Sequence, residues 1–182
     1  KRALFRSMIV GLIGGIGAGK STVTRMLAEL GAETVDADSL AHEALEIPRV
    51  RRALIEWIGE DAVEPSGKVN RKAVASLVFS SPAKLKELES LVHPEVLRRI
   101  EDKVKKYETT GKKAPVLVLD VPLLLASPLK AQCQEVVFVE AAPELRRRRV
   151  KDRGWAPGEL ERREGLQASI DEKKRVANHV ID

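Results

Sequence analysis

Cysteine and aromatic side chains are scarce in this chain. Cys133 is the single cysteine in 182 residues. That excludes an intramolecular disulfide and any cysteine-cluster metal site, and it fits a reducing compartment. As a small residue beside an apolar run, Cys133 needs no reactive role. Two Trp, one Tyr and three Phe are too few, and Trp57 and Trp155 too isolated, for a base-stacking platform, so a nucleic-acid partner is not expected. His42, His93 and His179 are far apart and lack metal-ligand spacing, so no zinc site is expected. No apolar run approaches the about 20 residues that span a bilayer, and no signal-peptide core opens the chain. The expectation is a soluble cytoplasmic protein with no membrane partner. Nor is the charge extreme: 32 Lys and Arg against 27 Asp and Glu leave +5, which suits a small anionic ligand.

What is present is enough apolar residue, 43%, for one well-buried core. We read a single domain over 8–182, preceded by KRALFRS (1–7), an extension given no role. MIVGLI (8–13), a helix from about 19 to 30, and ETVDAD (33–38) open the chain as β-α-β. PVLVLD (115–120) and EVVFVE (135–140) read as buried parallel strands, with HVID (179–182) a last short one. Strands alternating with helices predict an α/β fold with a mostly parallel five-stranded sheet covered on both faces. Between 39 and 113 only helical periodicity appears, in SLAHEAL, VRRALIEWI, RKAVASLVF, PAKLKELESLV and PEVLRRIEDKVKKY. Turn signals divide these segments at EPSGKVN (64–70), SSP (80–82), HP (93–94) and TTGKK (109–113). The core is thus 8–38 and 114–182, with a helical insertion at about 39–113.

GGIGAGKS (14–21) satisfies G-x-x-x-x-G-K-[ST] between a predicted strand and a predicted helix, the place where that pattern has physical meaning. Glycines let successive N–H groups turn inward onto phosphate oxygens, and the helix offers its positive end to the same anion. Lys20 is positioned for the outer phosphates and Ser21 for Mg²⁺. A dinucleotide fingerprint fails, because Gly15 and Gly17 lead to Lys20 where a third glycine is required. Three acids end strands. Asp36 and Asp38 are placed on one side of an extended segment, and Asp120 follows VLVL as a Walker-B carboxylate would. For Asp38, helix capping and catalysis stand equal on these grounds; for Asp36 and Asp120 the structural role takes precedence.

ELRRRRVKDRG (144–154) is the most basic segment. On a helix Arg146, Arg149 and Arg153 share a stripe, while Arg147 and Arg148 point elsewhere. The following RGWAPGE reads as a turn able to close over a phosphate, in a lid at about 150–162, from which an Arg would stabilise a transferring phosphoryl group. A solvated basic face is the alternative. Residue chemistry alone reaches a small-molecule phosphotransferase or NTPase and stops there.

In order along the chain, GLIGGIGAGKSTV, VDADSLAHEAL, RKAVASLVF, LESLVHPEV, DVPLLL, and Gln167 with VANHVID closely resemble the bacterial-type dephospho-CoA kinase family. That resemblance implies a three-layer P-loop kinase fold and transfer of the ATP γ-phosphoryl to the ribose 3′-hydroxyl of dephospho-CoA, by a monomer or weak homo-oligomer. It implies Asp38 as base, with Lys20, Arg149 and Arg153 also catalytic. It implies Gly14, Gly15, Gly17, Ala18, Gly19, Lys20, Ser21, Thr22 and Arg163 as ATP-binding, and Ser21 as the Mg²⁺ ligand. His93-Pro94 belongs to a family block but reads as a helix-start turn. Ala126 stands where the family frequently has Glu, the segment after AHEAL looks shortened, and the resemblance implies an Asn and a final helix beyond Asp182. The resemblance implies that the helical insertion at about 39–113 binds the acceptor, and closing of the insertion and lid is expected to exclude water. The rival readings are a kinase for a nucleoside monophosphate or sugar, and a nucleotide-dependent RNA-binding regulator.

Overall fold

The computed structural model describes residues 8–109 and 114–182. KRALFRS and the 110–113 part of the TTGKK turn lie outside the described residues. Five strands form one sheet: β1 Met8–Gly14, β2 Glu33–Asp36, β3 Val116–Asp120, β4 Glu135–Val139 and β5 His179–Ile181. Their order is β2-β3-β1-β4-β5 and every neighbouring pair is parallel. The helices are α1 Lys20–Glu29, α2 Ala37–Leu45, α3 Pro48–Ile58, α4 Arg71–Ser80, α5 Pro82–Thr109, α6 Pro143–Asp152, α7 Glu159–Glu164 and α8 Ile170–Val176. The α/β architecture with a parallel five-stranded sheet is the one expected.

Two compact units make up the chain. One contains the residues up to Asp36 together with Lys103–Asp182, and so the whole sheet; the other is Ala37–Asp102. In the sheet unit, Ile9, Val10, Leu12 and Ile13 of β1 and Leu117, Val118 and Leu119 of β3 are all buried. Continuous burial, without alternation, is what a sheet covered on both faces requires. Leu12, Val118 and Val139 form a cluster with Ala18, against which Val23 and Leu27 of α1 pack. α8 packs on β1 and β4. Cys133 sits against the other side of β1, its Sγ 2.9 Å from where a Cβ on Gly11 would be. Burial pushes its thiol up to about 11, so the packing role stands.

In the second unit, the EPSGKVN turn is a small hairpin: Val63 bridges Val69, and Gly67 N–H donates to Glu64 O at 2.8 Å. Asn70 Oδ1 caps α4 by accepting from Ala73 N at 3.2 Å, and Ser81 Oγ accepts from Lys84 N at the start of α5.

Two expectations are corrected. The predicted turn at His93-Pro94 is absent: α5 runs unbroken for 28 residues with Pro94 inside it. An interior proline costs a helix about 3 kcal/mol. Here Leu88, Val92, Val96, Ile100, Val104 and Tyr107 form one buried stripe along the helix, and that burial outweighs the missing hydrogen bond. The second correction concerns ETVDAD. The strand ends at Asp36, and Asp38 lies in the first turn of α2, so the two acids do not share an extended segment. Ala37 and Leu40 are buried on the helix, and their helical spacing takes the chain out of the sheet before Asp38.

Candidate active site

The strand register sets the carboxyl edge of the sheet. Asp36 of β2 stands level with Asp120 of β3, and Asp120 level with Leu12 of β1. β1 runs two residues further, pairing Gly14 with Val139, and there the backbone leaves the sheet. A Cβ on Gly14 would lie 2.7 Å from Val139 O, so a side chain at that exit would force β1 and β4 apart. Gly17 has φ +76°, and a Cβ there would approach Arg146 O to 2.9 Å; only glycine accepts both conditions cheaply. Gly19 is the N-cap of α1, which places Lys20, Ser21 and Thr22 in its first turn.

In a loop whose N–H groups face inward, the carbonyls face out and need donors. Most find one. Ala18 N donates to Gly15 O at 3.1 Å, and Thr22 N and Val23 N donate to Gly19 O. Arg149 Nη1 donates to Gly17 O at 3.0 Å and to Ala18 O at 2.8 Å. Lys173 Nζ reaches Gly14 O at 3.4 Å and donates to Gln167 Oε1 at 2.8 Å. Arg146, lying along Gly15, pairs with Glu164. α6, the end of α7 and α8 therefore all brace residues 14–18.

Of the predicted arginines, Arg149 thus meets the loop through its carbonyls. Arg153 caps the end of α6 and is exposed. Arg163 Nε donates to Glu159 Oε1 at 2.6 Å, and its guanidinium lies 4.2 Å from the Trp155 ring. Together with Arg162 it holds the Glu159 carboxyl down to about 2. Thr24 Oγ1 lies 3.0 Å from Asp120 Oδ2 and 2.9 Å from Lys20 O, its single proton shared between the two acceptors. The Walker-B-like acid is thereby linked to the first turn of α1. Asp38 is exposed on α2, within the second unit.

A pocket beside Gly14 and Lys20 is lined by Ile13, Leu124, Ala126 and Lys173. Ala126 ends a short 3-10 turn, Leu124–Ala126, so a methyl group lines the pocket where the resembled family frequently has a carboxylate.

Sequence reasoning overlooked Lys173. It sits in DEKKR, which reads as a solvated run, yet it is 5% exposed. The available signal was Ile170 three residues earlier, which puts Lys173 on the apolar stripe of α8. Burial lowers its pKa; Lys20 and Arg146 push the same way and Glu164 opposes them.

Comparison with known proteins adds the decisive observation: the family model described as dephospho-CoA kinase matches residues 8–182. The chain belongs to the dephospho-CoA kinase family. It is 40% identical over 177 residues to the dephospho-CoA kinase of Symbiobacterium thermophilum, covering 96% of this chain and 73% of that protein. With the dephospho-CoA kinase of Leifsonia xyli it shares 38% identity over 182 residues, covering 96% and 88%. The solved structure of TT1252 from Thermus thermophilus superposes with a TM-score of 0.73 at 36% identity, covering 96% of this chain and 87% of that one. Family membership carries the P-loop kinase fold with it, in agreement with the sheet order and the strand-loop-helix at residues 8–29. Among the described residues no helix is long and apolar enough to cross a membrane.

Proposed function

We propose that this protein transfers the γ-phosphoryl group of ATP to the ribose 3′-hydroxyl of dephospho-CoA, giving coenzyme A. As a member of this family it is an ATP-dependent phosphotransferase. The observation that carries the reading is the glycine loop between β1 and α1, with its outward carbonyls held by Arg149 and Lys173, in a chain that matches the family from Met8 to Asp182. Family membership favours dephospho-CoA over a nucleoside monophosphate, a sugar or RNA.

In this reading the N–H groups of Gly15, Gly17 and Gly19, with those of Lys20 and Ser21, receive the ATP phosphates, Ala18 and Thr22 shape the cradle through their own bonds to Gly15 O and Gly19 O, and Lys20 neutralises the outer pair. Mg²⁺ suits the donors present, which are hard oxygens: the Ser21 hydroxyl, and Asp120 acting through water. Among the described residues no group of three His, Cys, Asp or Glu could hold a metal, so most of its ligands would be phosphate oxygens and water. Held on the protein side by Ser21 and, through water, by Asp120, Mg²⁺ would supply charge neutralisation for the phosphates. Asp38 accepts the proton of the 3′-hydroxyl as it attacks phosphorus. Arg149 and Arg153 offset charge on the transferring group, and Arg163 contributes to the nucleotide side.

The test is incubation with ATP, Mg²⁺ and dephospho-CoA, followed by mass measurement of the 3′-phosphorylated product. Asp38→Asn is expected to lower kcat about 10²-fold or more with little change in ATP affinity. Undiminished turnover in that variant removes Asp38 from the role of base.

A further inference from the structure

Lys173 is one of two buried polar or charged side chains among the described residues, the other being Thr24. Thr24 is accounted for by its bonds to Lys20 O and Asp120. Lys173 braces the loop at Gly14 O, but packing and bracing alone do not require its charge to be buried there. Its ammonium donates to Gln167 Oε1 at 2.8 Å, reaches Gly14 O over a longer 3.4 Å, and lines the same pocket as Lys20. Burying an ammonium beside another lysine is costly, and a methionine of similar length would fill the same space without that cost. The position therefore makes sense only if the charge and its hydrogen bonds do something that packing does not.

A peptide unit is planar, so holding Gly14 C=O also fixes the plane of the Gly15 N–H. That unit is the one through which β1 becomes the loop. Gln167 seats the ammonium from the other side, and Gln167 N–H is itself anchored to Glu164 O at 3.0 Å. Glu164 in turn pairs with Arg146 alongside Gly15. One connected set thus runs from α6 through α7 and α8 to the first residue of the loop.

We propose that Lys173 is a positioning residue for ATP: seated by Gln167, its ammonium holds the Gly14 carbonyl, sets the exit of the phosphate loop from β1, and adds a second positive charge behind Lys20. This rests on the reading of residues 14–22 as the ATP phosphate site. It adds a residue from α8, far along the chain, to the nucleotide side of the protein, and it predicts an effect on ATP that spares the acceptor.

The experiment compares the full chain with its Lys173→Met variant. ATP dissociation constants are measured at equilibrium without acceptor, alongside steady-state KM values for ATP and dephospho-CoA and the melting temperature without ligand. Hydrogen bonds to a charged group correspond to about 10- to 100-fold in a binding constant, so K173M is expected to bind ATP at least about tenfold more weakly. Its KM for dephospho-CoA should stay within about twofold, and its ligand-free melting temperature should be unchanged or raised, because a buried charge has become apolar. Lys173→Arg, which keeps a cation, should recover part of the ATP affinity. If K173M does not fold, Gln167→Met, which removes only the seat of the ammonium, is expected to weaken ATP about three- to tenfold. Wild-type ATP affinity in whichever variant folds overturns the proposal. A wild-type chain that binds ATP but forms no product from dephospho-CoA sinks the acceptor assignment instead, and leaves this test standing.

Discussion

Gly17 shows how much a single position in the loop is constrained. Its φ of +76° already disfavours a side chain, and the atom a Cβ would meet first, 2.9 Å away, is the backbone carbonyl of Arg146. At Gly15 the nearest atom, 2.7 Å from a Cβ, is Nη1 of Arg146, the far end of a flexible side chain. Gly17→Ala should therefore lower unfolding stability by about 1–3 kcal/mol, and Gly15→Ala by less than Gly17→Ala. Denaturant unfolding of the two variants checks the order, and a larger loss at Gly15 would contradict the contacts described. The glycine spacing was legible in the sequence because it encodes a local backbone path. The partner of Arg149 was not: the stripe of Arg146, Arg149 and Arg153 is a helix property, whereas the bonds from Arg149 to Gly17 O and Ala18 O depend on how α6 docks against a loop about 130 residues earlier. Lys173 was hidden for the same reason, inside a run whose composition resembles a solvated surface.

At the scale of elements, α5 combines a proline that should break it with an apolar stripe that keeps it whole. Glu95, next to Pro94, anchors the helix laterally. Its Oε1 accepts from Arg98 Nη2 at 2.7 Å and from Arg99 Nε at 2.8 Å, and Arg99 Nη1 reaches Glu43 of α2 at 2.8 Å. The bonds from Arg98 and Arg99 hold the Glu95 carboxyl down to about 2 from an ordinary 4.5. A depressed carboxyl binds fewer protons in the folded chain than in the unfolded one. Its stabilising contribution is complete above about pH 4.5 and disappears as pH falls toward 2. Glu95→Gln should accordingly be less stable than wild type at neutral pH, with the difference shrinking across that window in a melting-temperature series. A difference independent of pH would mean that Glu95 matters for packing and not for its charge. Periodicity found every piece of this helix, but it could not show that the two halves are one element, because the burial that overrides Pro94 comes from tertiary packing.

The whole molecule divides its chemistry along the chain. Every residue of the phosphate loop, and each of the side chains bracing it from α6 and α8, belongs to the unit that contains the sheet; Asp38 belongs to the other, which begins at Ala37. The fold of the first unit was legible because strand-loop-helix, strand-end acids and a parallel sheet follow from local pattern and connection rules. Ala37–Asp102 carries no such signature, since helical periodicity records which face is buried and says nothing of what the segment holds. If the helical segment is the acceptor-binding part, the two substrates should leave separable footprints in amide exchange. A non-hydrolysable ATP analogue with Mg²⁺ should slow exchange at residues 14–22 and in α6 and α8, where bracing carbonyls and amides become further ordered by the anion. Dephospho-CoA alone should slow exchange within Ala37–Asp102, while its 3′-phosphorylated product should do so in the same segment because only one group has been added. Protection by dephospho-CoA confined to residues 14–22 would place the acceptor on the nucleotide side and deprive the helical unit of its role.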